Sequence, residues 1–294
     1  MKIRLISGSC YIALLIAFFC LKIFIHDYFF DGLVYAFAFL GTFEMLRAMK
    51  EKTTKAERAL VFLFVAVCIP VVAFFEGEYG KGLPTLCVCL IALFVAILSL
   101  LVIRYEETTL ESVGVSLLSA VYPTVFLALL VLVNHALPIG EEAIEFDSKL
   151  LLLFIFVISP CADSIAYVFG RYLKRFFPKK MSPNISPNKT VVGGIGGLVG
   201  GVLGAAILYF VYNATAGSYT DMQIWLPVYL FVGLAVSVVT AFGDLTESAI
   251  KRKLDIKDMG KIMPGHGGAL DRLDGVFFAT VTVYLVYSVI ALFV

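Results

Sequence analysis

Nine stretches of the chain are mostly apolar over about 20 residues, the length that carries a helix across a bilayer. They lie at 5–25, 28–46, 59–75, 83–103, 115–137, 150–170, 191–213, 225–246 and 273–294. The pattern predicts an all-α, polytopic integral membrane protein with about nine transmembrane helices. No segment between them is long enough to fold separately, so we expect one membrane domain over residues 1–294. The first stretch follows a basic start, Met1-Lys2-Ile3-Arg4. Its length of about 20 residues exceeds the apolar core of a signal peptide, and we read it as a retained anchor.

Composition sharpens the picture. Of the 294 residues, 61% are hydrophobic and 15% charged, and the mean hydropathy is +0.96. Soluble domains carry about 45–50% apolar and about 25% charged residues. An ordinary soluble enzyme, a disordered chain and a disulfide-built secreted domain are thereby excluded. Cys10, Cys20, Cys68, Cys87, Cys89 and Cys161 all fall in apolar stretches. There they act as small hydrophobes, and no zinc spacing is present.

The net charge of +1 is uninformative, but its distribution is not. With the N-terminus inside, 20 of the 23 basic residues face the cytoplasm, and only Lys22, Lys81 and Lys149 lie towards the outside. The positive-inside rule then predicts a cytoplasmic N-terminus and an outside C-terminus. Both rich polar segments, 171–190 and 247–272, fall on the cytoplasmic side.

The second of these concentrates candidate chemistry. Asp244 closes the eighth span, and Asp271 and Asp274 stand three apart at the start of the ninth, on one helix face. Between them lie basic residues and the turn Gly265-His266-Gly267-Gly268. Unpaired carboxylates are expensive at a membrane surface, whereas oxygen ligands suit magnesium, which binds through few carboxylates plus substrate phosphates. Lys251, Arg252 and Arg272 would hold phosphate oxygens. Gly265, Gly267 and Gly268 let backbone approach a ligand. The expected metal ligands are Asp244, Asp271 and Asp274; a solvated salt-bridge loop is the bland alternative.

Two other regions stay open. Gly193-Gly194-Ile195-Gly196-Gly197-Leu198-Val199-Gly200-Gly201 serves either tight helix packing or a phosphate cradle at a helix N-terminus. Asp163, Tyr167 and Arg171 follow at four-residue steps and share a helix face. That face lines a polar cavity, or else Asp163 bonds to neighbouring helices. Asp31 and Glu44, outside any motif, read as structural or interfacial. Segment 171–190 mixes Arg171, Lys174, Arg175, Lys179 and Lys180 with aromatic residues and prolines. It either sets topology against anionic headgroups or recruits an anionic lipid.

The segment Ser248 to Asp274 closely resembles the signature of the CDP-diacylglycerol synthases, or phosphatidate cytidylyltransferases. Ser248, Lys251, Arg252, Lys257, Asp258, His266, Gly267, Gly268, Asp271, Arg272 and Asp274 match it, eleven positions over 27 residues. Upstream, Asp163, Ala166, Tyr167, Gly170 and Arg171, then Ser186, Pro187, Lys189, Thr190, Gly193 and Gly194, also resemble the family. Asn188 and Val192 depart from it, standing where members usually carry lysine and glutamate. The resemblance covers residues 150–294 well, as catalytic spans and cytoplasmic loops, whereas 1–149 matches mainly as N-terminal spans.

The resemblance implies an enzyme, a nucleotidyltransferase of phospholipid biosynthesis that turns CTP and phosphatidate into CDP-diacylglycerol and diphosphate. Asp244, Asp271, Asp274, Lys251, Arg252, His266 and Arg272 would be catalytic, His266 orienting the turn or donating to phosphate. Asp163, Tyr167, Arg171, Ser186, Lys189, Thr190, Ser248, Lys257, Asp258, Gly267 and Gly268 would bind substrate. Mg2+ is the expected cofactor, with or without a monovalent cation. CTP, phosphatidate and the bilayer of the cell membrane are the expected partners, a homodimer is allowed, and no nucleic acid is expected. The rival readings are a CTP-dependent polyprenol or phytol kinase and an ion-coupled transporter. The latter would carry its site near the midplane rather than at one membrane face.

Overall fold

The computed structural model describes residues 2–139, 146–216, 222–265 and 267–293, without the side chains of 2–5, 216, 224 and 293. All nine expected spans form helices: α1 Lys2–Phe24, α2 Tyr28–Ala48, α3 Lys55–Tyr79, α4 Gly82–Ile103, α5 Leu110–Asn134, α6 Ser148–Tyr172, α7 Val191–Ala216, α8 Met222–Lys253 and α9 Leu270–Phe293. Each is long and apolar enough to cross a membrane, and the protein is a multi-pass membrane protein.

Several helices outrun their apolar cores, for local reasons. Thr54 accepts the amide of Glu57 while the Glu57 carboxylate accepts that of Thr54, so α3 begins in polar sequence. Thr109 and Ser112 start α5 in the same way. At the other end, α8 continues to Lys253, so Glu247, Ser248, Lys251 and Arg252 ride on helix and not on the loop expected from 247 onwards. Pro70, Pro123, Pro160 and Pro227 sit within helices, where neighbouring helices compensate for the lost donor. The expected prolines of 171–190 do block a helix. That segment instead forms a hairpin of β1 Lys180–Ser182 and antiparallel β2 Ser186–Thr190.

The chain divides into two compact units, 1–135 with 254–273 and 136–253 with 274–294. In the first, α2 and α3 pack on α5, and α4 packs on α3. Several of its buried polar groups are paired. Asp31 takes the Asn134 amide at 2.8 Å and pairs with His135 Nε2 at 2.7 Å. Lys22 pairs with Asp27 and donates to the Asn134 carbonyl. Glu57 takes the Ser112 hydroxyl at 2.7 Å.

In the second unit α7 packs between α6 and α8, and the glycine-dense stretch makes this possible. A Cβ on Gly200 would stand 2.8 Å from the Cys161 carbonyl, and one on Gly196 2.6 Å from Phe169. On the α8 side, Cβ atoms on Gly201 and Gly233 would each meet the other's carbonyl at 2.6 Å. Gly194, in contrast, has only the Met181 side chain nearby, at 3.4 Å or more. Helix packing thus accounts for the later glycines, and for Gly193 against the Ala166 carbonyl at 3.2 Å, but not for Gly194.

Gly201→Leu should therefore destabilise the protein by overpacking, an effect of about 1–3 kcal/mol, while Gly194→Ala should not. Thermal unfolding in detergent, followed with a thiol-reactive dye, should show a lowered midpoint only for the first. Equal midpoints would refute the close α7–α8 crossing.

Candidate active site

Thr190 ends β2 and caps α7. Its hydroxyl accepts the amide of Gly193 at 3.1 Å, the bond an N-cap makes to the third helical residue. The hairpin thereby delivers Lys189 to the start of α7, beside the end of α6 and the C-terminal part of α8. Lys189 Nζ meets Asp244 Oδ2 at 2.7 Å. Two segments that are 55 residues apart in sequence are joined by one ion pair.

Around this pair lies a cavity of about 720 Å³. Helix α6 contributes Asp163, Tyr167 and Arg171, and Lys174 follows just after it. The hairpin contributes Lys180, Asn188, Lys189 and Thr190; α7 gives Gly193, Gly194 and Gly197, and α8 gives Ser237, Thr240 and Asp244. The four-residue spacing of Asp163, Tyr167 and Arg171 thus does place them in one polar space. Arg171 donates to the Tyr167 hydroxyl at 2.7 Å, and its guanidinium lies 5.9 Å from that ring. The charged lining comprises Arg171, Lys174, Lys180 and Lys189 against Asp163 and Asp244. An excess of cations in a concave site attracts anions. The first glycines of α7 open the helix N-terminus to this space, a favourable place for phosphate oxygens. Asn188 lines the cavity where the family usually has a lysine, and Val192 is buried.

A second group of charges sits beside Asp244 in the same unit. Asp274 lies within Coulombic range of Asp244 and Lys251, shares a side-chain hydrogen bond with Glu247, and takes the Gly275 amide at 2.8 Å. Glu247 is fully buried and pairs with Lys251 at 3.3 Å, one helical turn on. Sequence reasoning passed over Glu247, although its place four residues before Lys251 was a usable signal. Nearby, Arg252 donates to the Ile185 carbonyl at 3.4 Å, tying the end of α8 to the hairpin that Ser186 continues.

Within the first unit, the signature loop is shaped by carboxylates of the protein itself. Asp271 Oδ2 accepts the amides of Met259 at 3.0 Å and Gly268 at 2.7 Å. Gly267 adopts φ +90°, and a Cβ there would lie 2.6 Å from that same oxygen. Gly268 lies against Glu44, which no motif had marked. Lys257, Asp258 and Arg272 are exposed. His266 lies outside the described residues.

Among the described residues no three His, Cys, Asp or Glu side chains form a ready metal cage. Asp244 and Asp274 nevertheless offer neighbouring hard oxygen donors. Magnesium is usually held by one or two carboxylates with substrate phosphates and water. The donor chemistry therefore suits a magnesium ion that arrives with a phosphate ligand.

Comparison with known proteins places the sequence in a family. The model of the cytidylyltransferase family matches residues 2–290. The chain is 31% identical over 261 residues to a phosphatidate cytidylyltransferase of Bacillus subtilis, covering 88% of each. It is 28% identical to one of Thermotoga maritima, covering 88% of this chain and 87% of that protein. With one of Staphylococcus saprophyticus it shares 37% identity over 127 residues, 43% of this chain and 45% of that protein. The chain belongs to the cytidylyltransferase family.

Proposed function

We propose that this protein is a phosphatidate cytidylyltransferase, which joins CTP and phosphatidate into CDP-diacylglycerol and releases diphosphate, for phospholipid biosynthesis. The observation that carries the reading is the cation-rich cavity closed by Lys189 and Asp244, in a chain whose relatives bear that name over most of their length.

The chemistry needs little from a base. A phosphate monoester loses its second proton near about pH 6, so phosphatidate is largely dianionic and already nucleophilic at neutral pH. One of its phosphate oxygens forms a bond to the α-phosphorus of CTP. The bond from that phosphorus to the oxygen bridging the β-phosphorus breaks, and diphosphate leaves with the electron pair. The barrier lies in bringing two polyanions together and in placing charge on the leaving group, as in other phosphoryl-type transfers.

This chain meets that barrier with positioned cations. Lys189 is held in place by Asp244 until phosphate oxygens compete for it. Lys251 and Arg252, on the last turns of α8, and the exposed Arg272 supply further charge. Asp244 and Asp274 are the carboxylates that would hold a magnesium ion, which would supply positive charge to neutralise substrate phosphates. Asp271 serves the reaction through the loop it holds. Arg171 and Lys174, beside exposed Tyr167 and Tyr172, face the lipid headgroup, since aromatic and basic residues favour that layer. We place this surface and the N-terminus in the cytoplasm, with the C-terminus outside the cell membrane, as the basic residues of the loops favour.

The direct test is incubation of the purified protein with labelled CTP and phosphatidate in mixed micelles. Lipid-linked cytidine supports the transferase. Lipid-linked terminal phosphate would indicate a kinase, and no labelled lipid would sink both.

Asp244→Asn keeps the side-chain size but removes the charge that holds Lys189. It should lower kcat at least tenfold, about 1.4 kcal/mol of barrier, with the melting midpoint little changed. A variant retaining more than about a tenth of the wild-type rate would remove Asp244 from the site.

Arg272→Ala should reduce kcat, because charge near the reacting phosphorus acts mainly in the transition state. Lys174→Ala should raise the apparent KM for phosphatidate with less change in kcat, the sign of lost ground-state binding. The two substrates must be varied separately. A Lys174→Ala effect confined to CTP would assign that residue to the nucleotide.

A further inference from the structure

Glu44 sits in the last turns of α2 with its side chain buried, 1% exposed. A carboxylate so placed needs donors, and it finds them in the signature loop. The backbone amides of Ala269 and Leu270 face it, and that of Leu270 donates to Oε2 at 3.0 Å. At the N-terminus of α9 such amides have no intrahelical acceptor, and a negative charge there also complements the helix dipole.

The same carboxylate presses on both ends of the loop. A Cβ on Gly260 or on Gly268 would collide with it. Asp271 grips the same two ends through the amides of Met259 and Gly268. Met263 N–H to Gly267 carbonyl, 2.9 Å, closes the loop on itself, and Ser7 of α1 donates to the Pro264 carbonyl at 3.0 Å. The loop is thus clamped between one carboxylate of its own helix and one from α2.

We infer that Glu44 is a positioning residue for the cytidylyl transfer: it fixes loop 259–268 and the start of α9, and so the placement of Arg272. The inference rests on the transferase reading and gives the N-terminal spans a task in it. Gly260 follows from it, because its lack of a side chain makes room for Glu44.

Two readouts test this. In hydrogen exchange of the full chain in detergent, Glu44→Ala should speed exchange of the 259–270 amides at least tenfold while α3 and α5 keep their protection. This readout does not depend on turnover. In the cytidine assay Glu44→Ala should lower kcat at least tenfold with KM for both substrates within about threefold, factors of about 1.4 and 0.65 kcal/mol. Glu44→Gln, which keeps an acceptor for Leu270, should restore most of the rate. Gly260→Ala should be impaired, and the shorter carboxylate of Gly260→Ala/Glu44→Asp should recover it.

Unchanged exchange in Glu44→Ala overturns the inference, as does lost protection throughout α2, α3 and α5, which would make Glu44 a general stability element. Failure of Glu44→Gln and of the double variant to recover activity also overturns it. If the wild-type protein makes no lipid-linked cytidine, the transferase reading fails, while the exchange result still decides whether Glu44 holds the loop.

Discussion

A carboxylate at the end of a membrane-spanning helix loses part of its hydration, and it is tolerated only where donors or cations replace the water. Both compact units are organised by that constraint. In the second, Asp244 takes Lys189 at 2.7 Å, and the hairpin that carries Lys189 is drawn to α8 by this pair and by the Arg252 bond to Ile185. In the first, Glu44 and Asp271 take backbone amides and thereby fold the signature loop. Each satisfied carboxylate gathers segments that are distant in sequence.

Glycine makes these approaches possible, in two different ways. Along α7 the residues at 196, 200 and 201 bring helices together at distances that leave no room for a Cβ. In the signature loop Gly260 and Gly268 admit the Glu44 carboxylate, and Gly267 admits that of Asp271. Glycines near phosphate-binding motifs are commonly read as space left for the ligand. Here part of that space is filled by the protein itself, and the glycines that line the cavity are others, Gly193, Gly194 and Gly197.

Much of this was legible in the sequence, because length and hydropathy determine spans with few alternatives. All nine helices lie where apolar runs placed them. The four-residue steps from Asp163 to Arg171 foretold a shared face, and that face lines the cavity. Helix ends were less legible, since they depend on caps and not on apolarity. Thus α3 starts at Lys55 and α8 runs to Lys253. The β-hairpin escaped because five residues of polar strand carry no hydrophobic alternation. Glu44 escaped for a deeper reason: its partners lie 226 residues away, and nothing local distinguishes it from a carboxylate at the bilayer surface.

The choice of amides as partners for Glu44 and Asp271 has an electrostatic consequence for the loop. Had lysine or arginine neutralised these carboxylates, the loop would have lost the charges it needs for anionic substrates. Backbone N–H groups take them instead, those of Met259 and Gly268 for Asp271 and that of Leu270 for Glu44, the last of these without an intrahelical acceptor at the start of α9. Among the described residues Lys257, Lys261 and Arg272 have no ion-pair partner within 4.0 Å, and all three are exposed. An exposed cation held by a rigid backbone keeps its interaction for an incoming phosphate, and little reorganisation is required when that phosphate gains charge. The loop therefore separates two tasks that a run of mixed charges would confuse: buried carboxylates and amides determine its shape, and exposed basic side chains remain for the polyanions.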